Sequence, residues 1–172
     1  MKRILAMILC TVMLLMSLAA CDGAQTADDG VFVVGVCQIE PHAALDAATK
    51  GFKDALIAEL GEDKVQFIDG NAAGDSNTLN TIIQDFVSKK VDLILANATP
   101  VLQTAAGATS VIPILGTSVT EYGVALQIDD FDGLVGGNIS GTSDLAPLDK
   151  QAQMVLDWCP NAKKVGLLYS AT

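Results

Sequence analysis

Apolar runs of strand length alternate along this chain with stretches whose apolar residues recur every three or four positions. Residues 31–37 (VFVVGVC) form a continuous Val-rich run, the pattern of a strand buried on both faces. Pro41 suits the first turn of a helix over residues 42–60, where Leu45, Ala48, Phe52, Leu56 and Leu60 make one stripe and Gly61 fits the stop. Residues 65–68 predict a second strand. Asp75 or Ser76 then caps a helix carrying Leu79, Ile82, Ile83, Phe86 and Val87 on one face, with Lys89 and Lys90 at its negative end. Residues 91–96 (VDLILA) predict a third strand, and Thr99-Pro100 reads as a cap followed by a first-turn proline, opening a helix to about residue 108. Residues 112–115 (IPIL) predict a fourth strand, with Pro113 at its beginning because it cannot donate to a ladder. A weak fifth strand is expected over residues 138–140. A helix follows over residues 144–159 with Leu148, Ala152, Val155 and Leu156 on one face, then a sixth strand over residues 164–169 (KVGLLY).

Such alternation predicts an α/β fold, a doubly wound parallel sheet with helices on both faces. No helix follows the sixth strand to cover it, so the chain is expected to be part of a longer protein. In an open parallel sheet, ligands bind outside the carboxyl ends of the strands. That rule selects five loops, residues 38–42, 69–75, 97–100, 116–121 and 140–144, all rich in hydroxyls, amides and carboxylates. The helix starts after Pro41 and Thr99 favour an anionic group such as a carboxylate.

The first thirty residues follow a different pattern. Lys2-Arg3 precedes a nearly continuous apolar run over residues 4–18, short of the ~20 residues that a membrane-spanning helix needs. Small residues and a cysteine follow it. Leu18-Ala19-Ala20-Cys21 resembles the bacterial lipobox, in which the cysteine accepts a diacylglyceryl group and becomes the new N-terminus. This assigns residues 1–20 to a lipoprotein signal peptide and Cys21 to lipidation. It makes residues 21–30 (CDGAQTADDG) a flexible tether and places the protein on the extracytoplasmic face of a membrane. An uncleaved anchor is the alternative.

Charge and composition narrow the function. The 172 residues carry a net charge of −10; without Lys2 and Arg3, 8 basic side chains face 20 acidic ones, a net charge of −12. That surface repels phosphate backbones, and 5% aromatic residues argue against a base-stacking platform, so no nucleic-acid partner is expected. Cys10, Cys21, Cys37 and Cys159 form no CxxC pair, and His42 is the sole histidine, so no zinc site is expected. Cys37 and Cys159 read as buried apolar positions. There is no G-x-S-x-G elbow and no P-loop. The glycines of residues 133–141 (GLVGGNISG) precede a strand instead of following one, which fails the dinucleotide-binding context. Asp129, Asp130 and Asp132 lack the spacing and final Glu of a calcium loop and read as a solvated turn. Neither a catalytic residue nor a cofactor is expected, although Glu40 and His42 could form an acid–base pair.

Four segments together resemble the N-terminal portion of an ABC-transporter substrate-binding lipoprotein of the tryptophan/tyrosine type. They are residues 34–56, 71–109, 112–126 and 136–172; the Ala98-Thr99-Pro100 helix start and the GGN-x-[ST]-G-x-[ST]-D run at residues 136–144 are the most specific stretches. The resemblance implies a type I periplasmic-binding-protein-like lobe over residues 31–163 and the first strand of a second lobe from Lys164. It also implies ligand contacts from Gln38, Glu40, His42, Thr99, Thr117, Ser118 and Thr120, with Ser143 and Asp144 near the crossover. The implied ligand is an amino acid, and the implied partners are ABC permease subunits. Many relatives carry an Asp-Pro pair where Glu121-Tyr122 stands here, so Tyr122 is expected to reshape the cleft. A ligand sensor for a signalling protein and a hydrolase using Glu40 or His42 remain as rival readings.

Overall fold

In the computed structural model, which describes residues 30–168, the predicted alternation becomes one parallel sheet with helices on both faces. The elements are β1 (Phe32–Gln38), α1 (Ala43–Leu60), a 3-10 turn (Glu62–Lys64), β2 (Val65–Asn71), α2 (Ser76–Lys89), β3 (Leu93–Asn97), α3 (Thr99–Ala108), β4 (Ile114–Val119), α4 (Tyr122–Leu126), β5 (Ile139–Ser143) and α5 (Leu148–Trp158). The sheet order is β2-β1-β3-β4-β5, with every neighbouring pair parallel. The signal peptide and Cys21 lie outside the described residues; among the described residues, no helix is long and apolar enough to cross a membrane.

Strand alternation divides the core into two layers. Cys37, Ile94, Ala96 and Ile114 face α2, α3 and α4, where Leu79, Ile83, Phe86, Val101, Leu102, Ala105 and Tyr122 close the larger layer. Val34, Val36 and Leu95 face the other way, against Phe52 and Leu56 of α1. Gly35 is needed for this arrangement, since a Cβ there would lie 2.6 Å from the Phe86 ring. Pro113 precedes β4 as expected, its carbonyl accepting from Ile94 N. Burial pushes the Cys37 thiol up to about 12, so it packs as a neutral small side chain. Cys159 is exposed, contrary to the expectation of burial, and both thiols are free.

Several boundaries differ from the sequence reading for identifiable reasons. Pro41 is not in the first helical turn: His42 caps α1, its Nδ1 accepting from Ala44 N at 3.2 Å. Asp75 does cap α2, accepting from Thr78 N at 2.7 Å, and that bond leads the causes holding its carboxyl below its usual value. Thr99 is not a cap; it already lies within α3, and Ala98 occupies the cap position without a side-chain bond. The helix expected from Asp144 begins only at Leu148, because Pro147 disfavours helical backbone at the residue before it. Its apolar face is not buried: Leu148 and Leu156 are exposed. The sixth strand is not formed over residues 164–168, where Val165, Leu167 and Leu168 are exposed and pair with no strand; Tyr169 lies outside the described residues. Extended backbone becomes a strand only against a partner edge, and none lies beside this segment.

Candidate functional site

The strand order reverses at β1, with β2 on one side and β3 on the other. The carboxyl ends of β1 and β3 therefore meet at the switch point, where open α/β sheets hold their ligands. The strands run further than their apolar residues. Asn71, Gln38, Asn97 and Thr117 are successive register partners, a polar row crossing four strands at this edge. The sequence reading had placed all four in loops; they belong instead to the rigid sheet.

Gln38 was expected to touch ligand. Its side chain is buried and occupied within the protein. Gln38 Nε2 donates to the Glu40 carbonyl and to Asp46 Oδ1, both at 2.7 Å, while Oε1 accepts from Thr49 Oγ1 at 3.0 Å. Asn97 Nδ2 continues the network, donating to the Leu45 carbonyl at 2.8 Å and to Thr49 Oγ1 at 2.9 Å. The network ties the start of α1 to the ends of β1 and β3 and so fixes the path of residues 38–42. Asp46, Thr49 and Asn97 were missed as contributors. Their only sequence signal was polarity at positions of the helix and strand that otherwise face the core. Glu40 and His42 lie exposed on the loop that the network holds; they make no acid–base bond to each other, and His42 Nδ1 serves its cap.

The β3–α3 and β4 segments carry strained backbone. Ala98 has φ 102° and ψ 154°, a region essentially reserved for glycine. Ser118 has φ 53°. It sits in a bulge: Gly116 pairs with Gly141 and Val119 with Ser143, so β4 spends one residue more than β5 over this interval. Strain of about 1–3 kcal/mol per residue persists only where the surrounding structure enforces it, and it clusters at ligand sites. Thr99 follows Ala98 at the start of α3; Pro100 brings no N–H and Val101 N donates to the Ala98 carbonyl at 3.1 Å, so of this first turn the Thr99 N–H is left without an intrahelical acceptor or a side-chain cap. Ala98→Gly is expected to raise stability by about 1 kcal/mol, because relief of 1–3 kcal/mol of strain outweighs the 0.5–1 kcal/mol entropic cost of glycine. A lower urea midpoint for the variant would show that this backbone is not strained.

Thr120 is exposed, and its carbonyl accepts from Ser143 Oγ at 2.8 Å. Asp144 N donates to the Val119 carbonyl at 3.0 Å. The structure thus brings Thr117, Ser118, Thr120, Ser143 and Asp144 together along the β4–β5 edge, with Thr99 beside them on the next connection. Glu121 is not free for ligand, since its two oxygens accept from Gly123 N (2.8 Å) and Val124 N (2.6 Å) as the cap of α4. Tyr122 lines a cavity of about 390 Å³ with Glu121, Phe131, Leu134 and Ser143. It is buried among the core residues of the larger layer, over Gly116 and Gly141, with its hydroxyl 3.3 Å from the Thr142 carbonyl. Burial, then the Asp144 carboxylate, raises its phenol. Between α1 and the β4–β5 edge lies a groove of about 420 Å³, lined by Ala48, Phe52, Leu95, Leu115, Thr117, Ser140 and Thr142 among others.

This doubly wound sheet, with its polar carboxyl edge at the switch point, matches one lobe of a type I periplasmic-binding fold. The chain belongs to the ABC transporter substrate binding protein family, whose pattern matches residues 33–172. It is 36% identical over 185 residues to a tyrosine-binding protein of Clostridioides difficile (strain R20291), covering 99% of this chain and 53% of that protein. A ligand-free, open substrate-binding protein with adhesive properties from Clostridium difficile superposes with a TM-score of 0.68 at 37% identity, over 77% of this chain and 45% of the other. An ABC domain from Streptococcus pneumonia in complex with L-Trp gives 0.69 at 31% identity, over 76% and 44%. The chain spans about half the length of these relatives.

Proposed function

We propose that this chain is the ligand-binding part of an extracytoplasmic solute receptor that captures an amino acid, with an aromatic one favoured, and delivers it to an ABC permease. The observation that carries the reading is the polar, strained carboxyl edge of the sheet at its switch point, in a chain related to a tyrosine-binding protein and to a domain that holds L-Trp. The edge offers hydroxyls, helix-start N–H groups and fixed carbonyls, which suit binding by hydrogen bonds and not turnover. Residues 31–163 would form the first lobe. Residues 164–172 would open the second, which is the reading that suits the exposed Val165, Leu167 and Leu168. Thr99, Thr117, Ser118, Thr120, Ser143 and Asp144 would meet the ligand, while Gln38 would hold Glu40 and His42 in place from beneath.

An NMR titration with L-tryptophan tests the ligand reading. Shifts concentrated at Thr99, Thr117, Ser118, Thr120 and Ser143 are expected; no shifts, or shifts confined to another face, refute it. The anchor is tested separately. Residues 1–20 would be removed as a signal peptide, and Cys21 would carry the lipid on a tether formed by residues 21–30. Cys21→Ser is expected to move the protein from the membrane to the soluble fraction and to abolish labelling by a fatty-acid probe. Unchanged fractionation with no label in either form would reject lipidation.

A further inference from the structure

Asn97 carries an anomaly at the centre of the polar row. Its side chain is fully buried, and Oδ1 has no hydrogen-bond partner. A buried acceptor left unpaired costs about 1–3 kcal/mol, so native structures rarely keep one. The assignment of the amide is fixed by chemistry, because the Leu45 carbonyl can only accept and so must face Nδ2. Oδ1 is therefore the prong turned away from α1. Thr117 is the register partner of Asn97 on β4. Both side chains lie on the α1 side of the sheet, where strands are only about 4.8 Å apart. Thr117 is half-buried, its hydroxyl makes no hydrogen bond to another described residue, and it lines the groove.

We infer that Asn97 is a positioning residue that takes the Thr117 hydroxyl proton on its Oδ1, turning the Thr117 oxygen lone pairs toward the ligand so that this corner reads an ammonium group. The inference rests on the solute-receptor reading above. Such a bond would give Asn97 Oδ1 its missing donor. The resulting chain of donors runs in a single direction: Thr117 to Asn97 Oδ1, Asn97 Nδ2 to Thr49, Thr49 to Gln38 Oε1, and Gln38 Nε2 to the Asp46 carboxylate. Bonds aligned in this way polarise one another. With a carboxylate at the far end, the Thr117 oxygen becomes the electron-rich terminus and favours a cationic donor over a carboxylate. The anionic end of an amino acid is then left to the start of α3, the positive end of that helix's dipole, where the Thr99 N–H lies.

Two measurements decide it. In the unliganded protein, the Thr117 hydroxyl proton is expected as a slowly exchanging NMR resonance with an Overhauser contact to Asn97. A freely exchanging hydroxyl overturns the inference and assigns Asn97 Oδ1 to a buried water. The second compares L-tryptophan with 3-indolepropionate, which lacks only the amino group. The wild type is expected to favour tryptophan by roughly ten- to hundred-fold, the range of a hydrogen bond to a charged group. Thr117→Val is expected to remove that preference by weakening tryptophan binding more than 3-indolepropionate binding, and Thr117→Ser to keep it. Equal loss of both ligands in Thr117→Val, or retained preference, refutes the ammonium role although the receptor reading stands. Failure of the wild type to bind either compound refutes the receptor reading and the ammonium role together, and a protected hydroxyl would then mark Asn97 as a purely structural partner.

Discussion

Phe86→Ala is expected to lower the stability of the lobe by about 3–5 kcal/mol, the range for emptying a buried aromatic site. Phe86 is the largest fully buried side chain among the described residues and lies in the larger core layer with Ile83, Leu79 and Ile94. Its ring fills the space left by Gly35 on the central strand, so collapse cannot close the void without bending β1. In urea, the midpoint should fall while the slope is retained, because the surface exposed on unfolding hardly changes. The pairing has a second consequence. Gly35→Ala alone should be costly, since its Cβ would sit 2.6 Å from the ring. In the Phe86→Ala background that cost should largely vanish, a coupling that a double-mutant cycle measures directly. Additive effects would mean that the two positions do not share this space.

The fold was legible because burial dictates its pattern. A central parallel strand is covered on both sides, so Val31 to Cys37 and Leu93 to Ala96 appear as unbroken apolar runs, and the stripe of Leu79, Ile83 and Phe86 marks the face α2 turns to the sheet. Polar chemistry inside regular structure is what the pattern concealed. Gln38, Asn71, Asn97 and Thr117 continue their ladders because backbone pairing is indifferent to side-chain polarity, yet each lies just past an apolar run and reads as a loop. The five residues of α4 are too few to display a helical period, and its cap, Glu121, carries no apolar cue. The Thr99-Pro100 signal was read one residue late, since Ala98 takes a backbone conformation that no sequence rule assigns to alanine.

The candidate site was legible by location more than by role. The switch-point rule selected the carboxyl edge of the sheet, and Thr117, Ser118, Thr120, Ser143 and Asp144 lie together along it. Which of the polar groups turn inward depends on partners distant in sequence. Gln38 lies 11 residues from Thr49, and Asn97 lies 48 residues from it. Only the fold reveals that Gln38 supports the β1–α1 loop from below, and that Tyr122 packs among the core residues of the larger layer.

Gly141→Ala is expected to destabilise by about 3 kcal/mol, at the upper end of the usual cost of overpacking. A Cβ at Gly141 would lie 2.1 Å from the Tyr122 hydroxyl oxygen and 2.2 Å from the Gly116 carbonyl oxygen. The first contact is with the tip of a side chain; the second is with the backbone of the paired strand and can be relieved only by moving β5 away from β4. Gly116→Ala differs in kind, because the nearest atoms to its Cβ would be the Tyr122 hydroxyl and ring, at 2.3–3.1 Å. Tyr122→Phe should therefore rescue much of the Gly116→Ala loss and little of the Gly141→Ala loss. Equal rescue, measured by urea unfolding of the two double variants, would show that the backbone contact is not limiting. The displacement also has a functional reach. The β5 strand holds Ser143 to the Thr120 carbonyl and Asp144 to the Val119 carbonyl. Separation of β5 from β4 would scatter these groups from the edge that Thr117 and Ser118 share, so Gly141→Ala should weaken tryptophan binding even below its unfolding midpoint. Gly116→Ala combined with Tyr122→Phe, which leaves the β4–β5 backbone spacing intact, should bind as the wild type does.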